Sequence, residues 1–217
     1  MEAIKTMSET YYLWNDLETG GLKPKSADIL TGYFAVFDEN GKFVEDLALK
    51  LKPDDRLPMA DAGALKVNKI DLKAHLEDPE TITYSEARKK LLALIKKYLK
   101  KNGRYSNIIL AGYNVRFDLR FINEYLISED DWEELVHYKV HDVMDGVDFL
   151  KRSGWLPSDI GKLTKCAEYF EVAQGIAHTA KDDIFMTIAV DGKIKELMDS
   201  KKNGGQQIDL ISQLEAE

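Results

Sequence analysis

The stretch YYLWNDLETGGL, Tyr11 to Leu22, decides how the rest of the chain reads. Tyr11, Tyr12, Leu13 and Trp14 make an unbroken aromatic and apolar run, the pattern of a short strand covered on both faces. Asp16 and Glu18 follow where that strand is expected to run out. In extended backbone, residues two apart share a face, so both carboxylates point one way and Leu17 the other. Two anions held that close repel, and one takes up a proton unless a cation lies between them. Oxygen donors of this kind select magnesium or manganese over zinc, which prefers histidine and cysteine. Gly20 and Gly21 permit a tight turn and a close approach of a ligand to the backbone. A D-x-E triplet alone also fits a polar turn after a strand, so the rest of the chain has to decide.

Two further acidic segments do so. Asn107 to Tyr113 (NIILAGY) is a buried strand by pattern, and because it follows a helix it is expected to run parallel to the first. Just past it, Gly112 to Asp118 sets Asn114 and Asp118 four apart, on one face of the next helix, with Phe117 and Phe121 on another. Ligand sites of open α/β sheets gather beyond such strand ends. The third segment, Ala177 to Asp183, has His178 ahead of a helix and Asp183 at its start, with the small Ala180 between them. Taken singly, these are a helix cap, acids placed to favour a helix dipole, and a helix-flanking histidine.

Around these segments the chain alternates regular elements. Asp28 to Phe37 and Phe43 to Leu51 read as strands joined through Asp38-Glu39-Asn40-Gly41, which predicts a hairpin and, with the first strand, an antiparallel meander. Lys52 to Asp61, with Pro53 and Pro58, reads as a loop, followed by short helical pieces at Gly63 to Asn68 and Asp71 to His75. Thr83 and Glu86 form a capping box for a helix running to about Lys101. Helices are expected at Asn114 to Leu126, Ser128 to Val136, Asp145 to Lys151, Leu163 to Phe170 and Lys181 to Ser200, with a fifth strand at Tyr138 to Val143. Three meander strands followed by strands alternating with helices predict an α/β domain with a mixed five-stranded sheet over residues 1–200. Lys201 to Gln207 reads as a polar linker, making 201–217 a flexible tail.

Composition bounds the function. At 217 residues and 44% hydrophobic, the chain can bury one substantial core. A formal charge of -8 argues against a basic coat for duplex DNA, but it leaves open a phosphodiester bound through cations that the acids hold. Cys166 is the single cysteine, which excludes an internal disulfide or a cysteine zinc site and fits a reducing, cytoplasmic location. Met1 to Glu9 lacks the apolar core of a signal peptide, and no run approaches the length of a membrane span.

Together, D-x-E-T-G at Asp16 to Gly20, N-x-x-F-D at Asn114 to Asp118 and H-x-A-x-x-D at His178 to Asp183 resemble the three motifs of the DEDDh, or DnaQ-like, 3′–5′ exonucleases, in that family's order and spacing. The resemblance spans roughly Tyr11 to Ser200, and Ala64-Leu65-x-Val67-Asn68 and His141-Asp142 extend it. Asn15 departs from the pattern, since an apolar residue is more usual before the first aspartate. The resemblance implies a ribonuclease H-like fold in which Asp16, Glu18, Asp118 and Asp183 hold two Mg2+ or Mn2+ ions, with Asp16 as the bridge. It implies His178 as general base, main-chain amides of Thr19 and Gly20 on the terminal sugar and phosphate, Leu22 against the last base, and Asn114 on the sugar-phosphate backbone. Thr179 stands where a sister group carries a catalytic tyrosine, which assigns the histidine branch. Arg116, Arg120, Lys162, Lys165 and Lys181 lie near motif residues and are candidates for steering a strand.

The implied activity is metal-dependent release of nucleoside 5′-monophosphates from single-stranded 3′ ends. The lean to DNA rests on the tail: Gln207, Ile208, Asp209, Leu210 and Ile211 resemble the short peptide with which bacterial replication proteins grip the sliding clamp. One alternative is an RNA-trimming enzyme of ribonuclease T or oligoribonuclease type, because contacts to the 2′-hydroxyl cannot be read from sequence. Another is a nucleic-acid-binding adaptor without turnover, against which the full set of four carboxylates and a histidine counts.

Overall fold

A computed structural model describes residues 9–103, 105–173 and 179–204. Its main sheet is built from β1 (Tyr11–Thr19), β2 (Ile29–Asp38), β3 (Phe43–Lys52), β4 (Thr81–Thr83), β7 (Ile108–Gly112) and β8 (Val140–Asp142). A separate two-stranded ribbon pairs β5 (Lys101–Asn102) with β6 (Tyr105–Ser106). The six strands of the main sheet lie in the order β4-β3-β2-β1-β7-β8. As expected, β1, β2 and β3 form an antiparallel meander, and β7 and β8 add in parallel on the far side of β1. The sixth member is β4, three residues pairing parallel to β3 and too short to leave a periodic signature.

Helices cover both faces. On one face α3 (Tyr84–Tyr98), α4 (Val115–Tyr125) and α5 (Glu129–Leu135) bury Leu13, Leu17, Phe34, Val36 and Leu110. On the other, α6 (Val143–Arg152), α7 (Leu163–Tyr169) and α8 (Ala180–Gly204) pack on Trp14, Tyr33, Ala35, Phe37 and Ala111. Two short helices, α1 (Ala62–Asn68) and α2 (Leu72–Glu77), connect β3 to β4. The capping box forms as read, the Thr83 amide donating to Glu86 Oε2 at 2.9 Å and the Glu86 amide to Thr83 Oγ1 at 3.3 Å. Helix α3 ends at Tyr98, short of the expected Lys101, where β5 begins.

Further boundaries near the site and the tail differ from the sequence pattern. Strand β1 does not stop at Trp14: it pairs with β2 through Asp16↔Tyr33, Leu17↔Gly32 and Glu18↔Thr31, so both carboxylates sit inside the strand. Cross-strand pairing overrode the poor strand propensity of Asp and Glu. Asn114 is not helical; it has φ 57° and caps α4, so it does not share a helical face with Asp118. Helix α8 continues to Gly204, through the first residues of the expected linker. His178 and the tail residues Gln207, Ile208, Asp209, Leu210 and Ile211 lie outside the described residues. No helix among the described residues is long and apolar enough to cross a membrane.

Candidate active site

Alternation along β1 sends Leu13, Asn15 and Leu17 into the core beneath α3 and α4, and Trp14, Asp16 and Glu18 toward α8. Helix α8 starts directly over the two carboxylates. Its start is fixed by Thr179, whose Oγ1 accepts the Asp182 amide at 3.1 Å and donates to Asp182 Oδ2 at 2.7 Å. That cap sets Asp183 in the first turn, where the helix dipole favours an anion. Oxygens of Asp16, Glu18 and Asp183 then lie within 4.8 Å of one another, from groups that are each half-buried.

Asp118 arrives from the opposite side of the sheet. It is buried, and its Oδ1 accepts the amide of Leu17 at 3.0 Å, tying α4 to the middle of the carboxylate strand. It is not one of the three whose oxygens cluster, yet its charge acts on Asp16. Close approach of backbone makes this docking work: a Cβ on Gly112 would stand 2.8 Å from the carbonyl oxygen of Asn15. Asp142, at the end of β8, fixes the same corner by accepting the amides of Asn114 at 2.8 Å and Met144 at 3.1 Å, so one carboxylate joins the starts of α4 and α6.

The electrostatics of the cluster are unfavourable by themselves. Loss of hydration pushes Asp16 well above the ordinary carboxylate range, and the charges of Asp118, Glu18 and Asp183 push it further. Glu18 is pushed up to about 7 by burial and by the charge of Asp183. Burial likewise raises Asp118, although the Leu17 amide pulls the other way. Three carboxylates from β1 and α8 with only oxygen donors fit a hard divalent cation, which would remove the repulsion that the geometry builds in.

The loop after β1 is pinned rather than free. Gly20 donates its amide to the Asp28 carbonyl at 2.7 Å, and its own carbonyl accepts from Asp61 at 2.7 Å. Its amide is therefore already bonded, and what Gly20 supplies is the absence of a side chain: a Cβ there would meet the Met59 carbonyl oxygen at 2.3 Å. Thr19 Oγ1 donates to the Gly21 carbonyl at 2.7 Å, and the Thr19 carbonyl accepts from Asn68 Nδ2 at 3.2 Å. Leu22 stands out of this turn 78% exposed.

Sequence reasoning missed the residues that do the pinning. Asp28 is fully buried and holds Arg56 through both guanidinium nitrogens, at 2.6 and 2.8 Å, together with the Met59 amide at 2.6 Å. This anchors the proline-bearing loop against Gly20, and no local pattern announces it, because the partners are 28 residues apart. Of the steering candidates, Arg116 pairs with Asp145 at 2.8 Å and Asp142 at 3.3 Å, and Lys165 pairs with Glu168 at 3.0 Å. Lys181 approaches Asp46 at 4.0 Å and lines a cleft of about 880 Å³ that opens beside Glu18.

The sheet order and the helices on both faces are those of a ribonuclease H-like fold. Among solved structures, the chain is similar to Escherichia coli exonuclease I in complex with a dT13 oligonucleotide, at TM-score 0.66 and 20% identity, over 94% of this chain and 46% of that one. It is similar to exonuclease I of Methylocaldum szegediense at TM-score 0.66 and 20% identity, over 86% and 40% of the two chains. A complex described as ExoI/SSB-Ct matches at TM-score 0.61 and 18% identity, over 94% and 46%. The chain thus spans less than half the length of these structures. No family model and no curated protein matches the sequence.

Proposed function

We propose that the protein is a metal-dependent 3′–5′ exonuclease acting on single-stranded ends, DNA rather than RNA, and releasing nucleoside 5′-monophosphates. The observation that carries this is the convergence of Asp16, Glu18 and Asp183 within 4.8 Å on a fold shared with exonuclease I. Asp16, Glu18, Asp183 and Asp118 would hold two Mg2+ or Mn2+ ions. When bound, such ions stabilise the attacking and leaving oxygens of an in-line displacement at phosphorus. His178 takes the proton of the attacking water, a task that an imidazole suits near neutral pH. The new O–P bond forms as the bond from phosphorus to the 3′ oxygen of the preceding nucleotide breaks. Leu22, exposed beside the site, packs against the terminal base, and Thr19 and Asn114 flank its sugar and phosphate.

The test uses 3′-labelled DNA and RNA oligonucleotides with Mg2+ or Mn2+, with and without EDTA. Metal-dependent mononucleotide release, faster on DNA, is expected; release that persists in EDTA overturns the metal assignment, and RNA preference overturns the substrate. The choice of DNA rests on the tail at Gln207 to Ile211, so deleting residues 206–217 is expected to abolish binding to a bacterial sliding clamp while short strands are still degraded. The same clamp affinity after deletion removes that argument.

A further inference from the structure

The cleft beside Glu18 is larger than the metal corner needs. It begins at Glu18 and Thr179, crosses the open face of the β2–β3 hairpin at Tyr33 and Ala48, and ends at Ile82 on the β4 edge. Its volume of about 880 Å³ is at the upper end of what encloses one small ligand. In a chain of formal charge -8, four lysines line it against two glutamates, and one of those glutamates, Glu18, belongs to the carboxylate cluster. The other, Glu80, is held by Lys50 at 2.9 Å, a lysine that also binds Asp78 at 2.6 Å. Lys69, Lys90 and Lys181 remain, all exposed. Among the described residues Lys69 and Lys90 make no ion pair, and Lys181 has a 4.0 Å approach to Asp46 and lies 5.5 Å from the centre of the Tyr33 ring.

Two features identify what such a surface takes. An acidic protein repels a polyanion, so cations not neutralised by a close carboxylate along the approach to the site provide local attraction where the net charge opposes it. The lining also offers little to read a base edge. Its one amide side chain, Asn68, is occupied by the Thr19 carbonyl at 3.2 Å and the Ile70 amide at 3.2 Å, and Ala48, Ile70 and Ile82 are apolar. A lining of this kind suits phosphates rather than base edges.

We infer that this cleft carries the body of a single-stranded nucleic acid on the 5′ side of the terminal nucleotide, gripped through its phosphates by Lys69, Lys90 and Lys181 without sequence preference. The inference rests on the phosphodiesterase reading of the carboxylate site, and adds that strand length and salt sensitivity are set over the β2–β3 hairpin.

The experiment first gives the wild-type protein the p-nitrophenyl ester of thymidine 5′-monophosphate with Mn2+, a substrate too small to use the cleft. It then compares wild type with the double variant Lys69→Gln, Lys90→Gln on a long unstructured oligonucleotide and on a trinucleotide over a range of salt. Binding of the long strand is followed in parallel by fluorescence anisotropy with Ca2+ in place of Mn2+. The double variant is expected to raise KM and Kd for the long strand roughly tenfold, far more than for the trinucleotide, with kcat little changed. The slope of log affinity against log salt should fall by about 1.4, about 0.7 for each phosphate that a lysine no longer neutralises on a single strand. An unchanged KM, Kd and salt slope on the long strand, or an equal penalty at both lengths, overturns the cleft assignment and leaves a groove for a polypeptide segment. Failure of the wild type on both the ester and the oligonucleotides overturns the phosphodiesterase reading, while the anisotropy still decides whether the lysines bind a strand.

Discussion

The two faces of β1 carry the same problem and meet it differently. Toward α8, Asp16 and Glu18 are half-buried anions whose mutual repulsion a divalent cation can relieve. Toward α3 and α4, Asn15 is 1% exposed between Leu13 and Leu17, and neither its Oδ1 nor its Nδ2 has a hydrogen-bond partner among the described residues. Burying an unpaired amide costs about 1–3 kcal/mol. Polar groups on the first face are destabilising until a ligand arrives. On the second face the amide is shut off from solvent. A strand can therefore hold polar residues on both sides while only the side that opens to solvent becomes a site.

The widest separation of the two faces comes from Asp16→Ala. Removing a carboxylate at the centre of the cluster should lower nucleotide release by at least about 10³-fold, measured on a labelled single strand, because metal-ion stabilisation of the reacting oxygens is worth several kcal/mol. The metal-free variant should unfold at a higher temperature than wild type, since a repelling buried charge is gone; a lower midpoint would mean that Asp16 serves the fold rather than the site. His178→Ala follows, with turnover down about 10²-fold and metal affinity, read by calorimetry, unaltered in order of magnitude.

Acid and base distinguish the faces more gently. Glu18 titrates at about 7 in the folded chain, above the ordinary carboxylate value, so folding favours its protonated form. A raised carboxylate contributes stability at a pH below its unfolded pKa and loses that contribution as pH climbs through the folded value. Metal-free protein should therefore be more stable at about pH 5 than at pH 8, by about 2 kcal/mol from this group, in urea titrations. Glu18→Gln or added Mn2+ should shrink the difference, and a gap unaffected by either would place its origin elsewhere. The smallest effect belongs to Asn15→Leu, expected to stabilise by about 1 kcal/mol and to raise the midpoint by roughly 2–4 °C with activity retained. A loss of stability would show that the pocket around Asn15 has no room for the larger methyl groups.

Much of the fold is legible in the chain alone. The meander, the capping box at Thr83 and the parallel strand at Ile108 follow from local periodicity and turn chemistry, which act over a few residues. The motif residues Asp16, Glu18 and Asp183 are legible because each sits at a strand or helix position whose side-chain direction the sequence dictates. Less visible are features whose partners lie far away: β4, the Asp28 to Arg56 anchor, the Asp142 bridge between two helix starts, and the lysines of the cleft. Asn15 is instructive in both directions. Its departure from the apolar pattern is evident in the chain, but only packing reveals that its amide goes unmatched.

By itself, then, the sequence determined which residues alternate along β1, where the helices start, and that acidic side chains recur in three separated segments. Tertiary structure decided that oxygens from two of those segments meet, that the Gly20 amide is already taken, and that Lys69 and Lys90, which make no ion pair among the described residues, line the cleft beside the site. The physical reason is range. Backbone periodicity and capping are short-range and written into neighbouring residues, whereas the convergence of charges depends on how far a sheet twists and where a helix begins above it, which only the packed chain resolves.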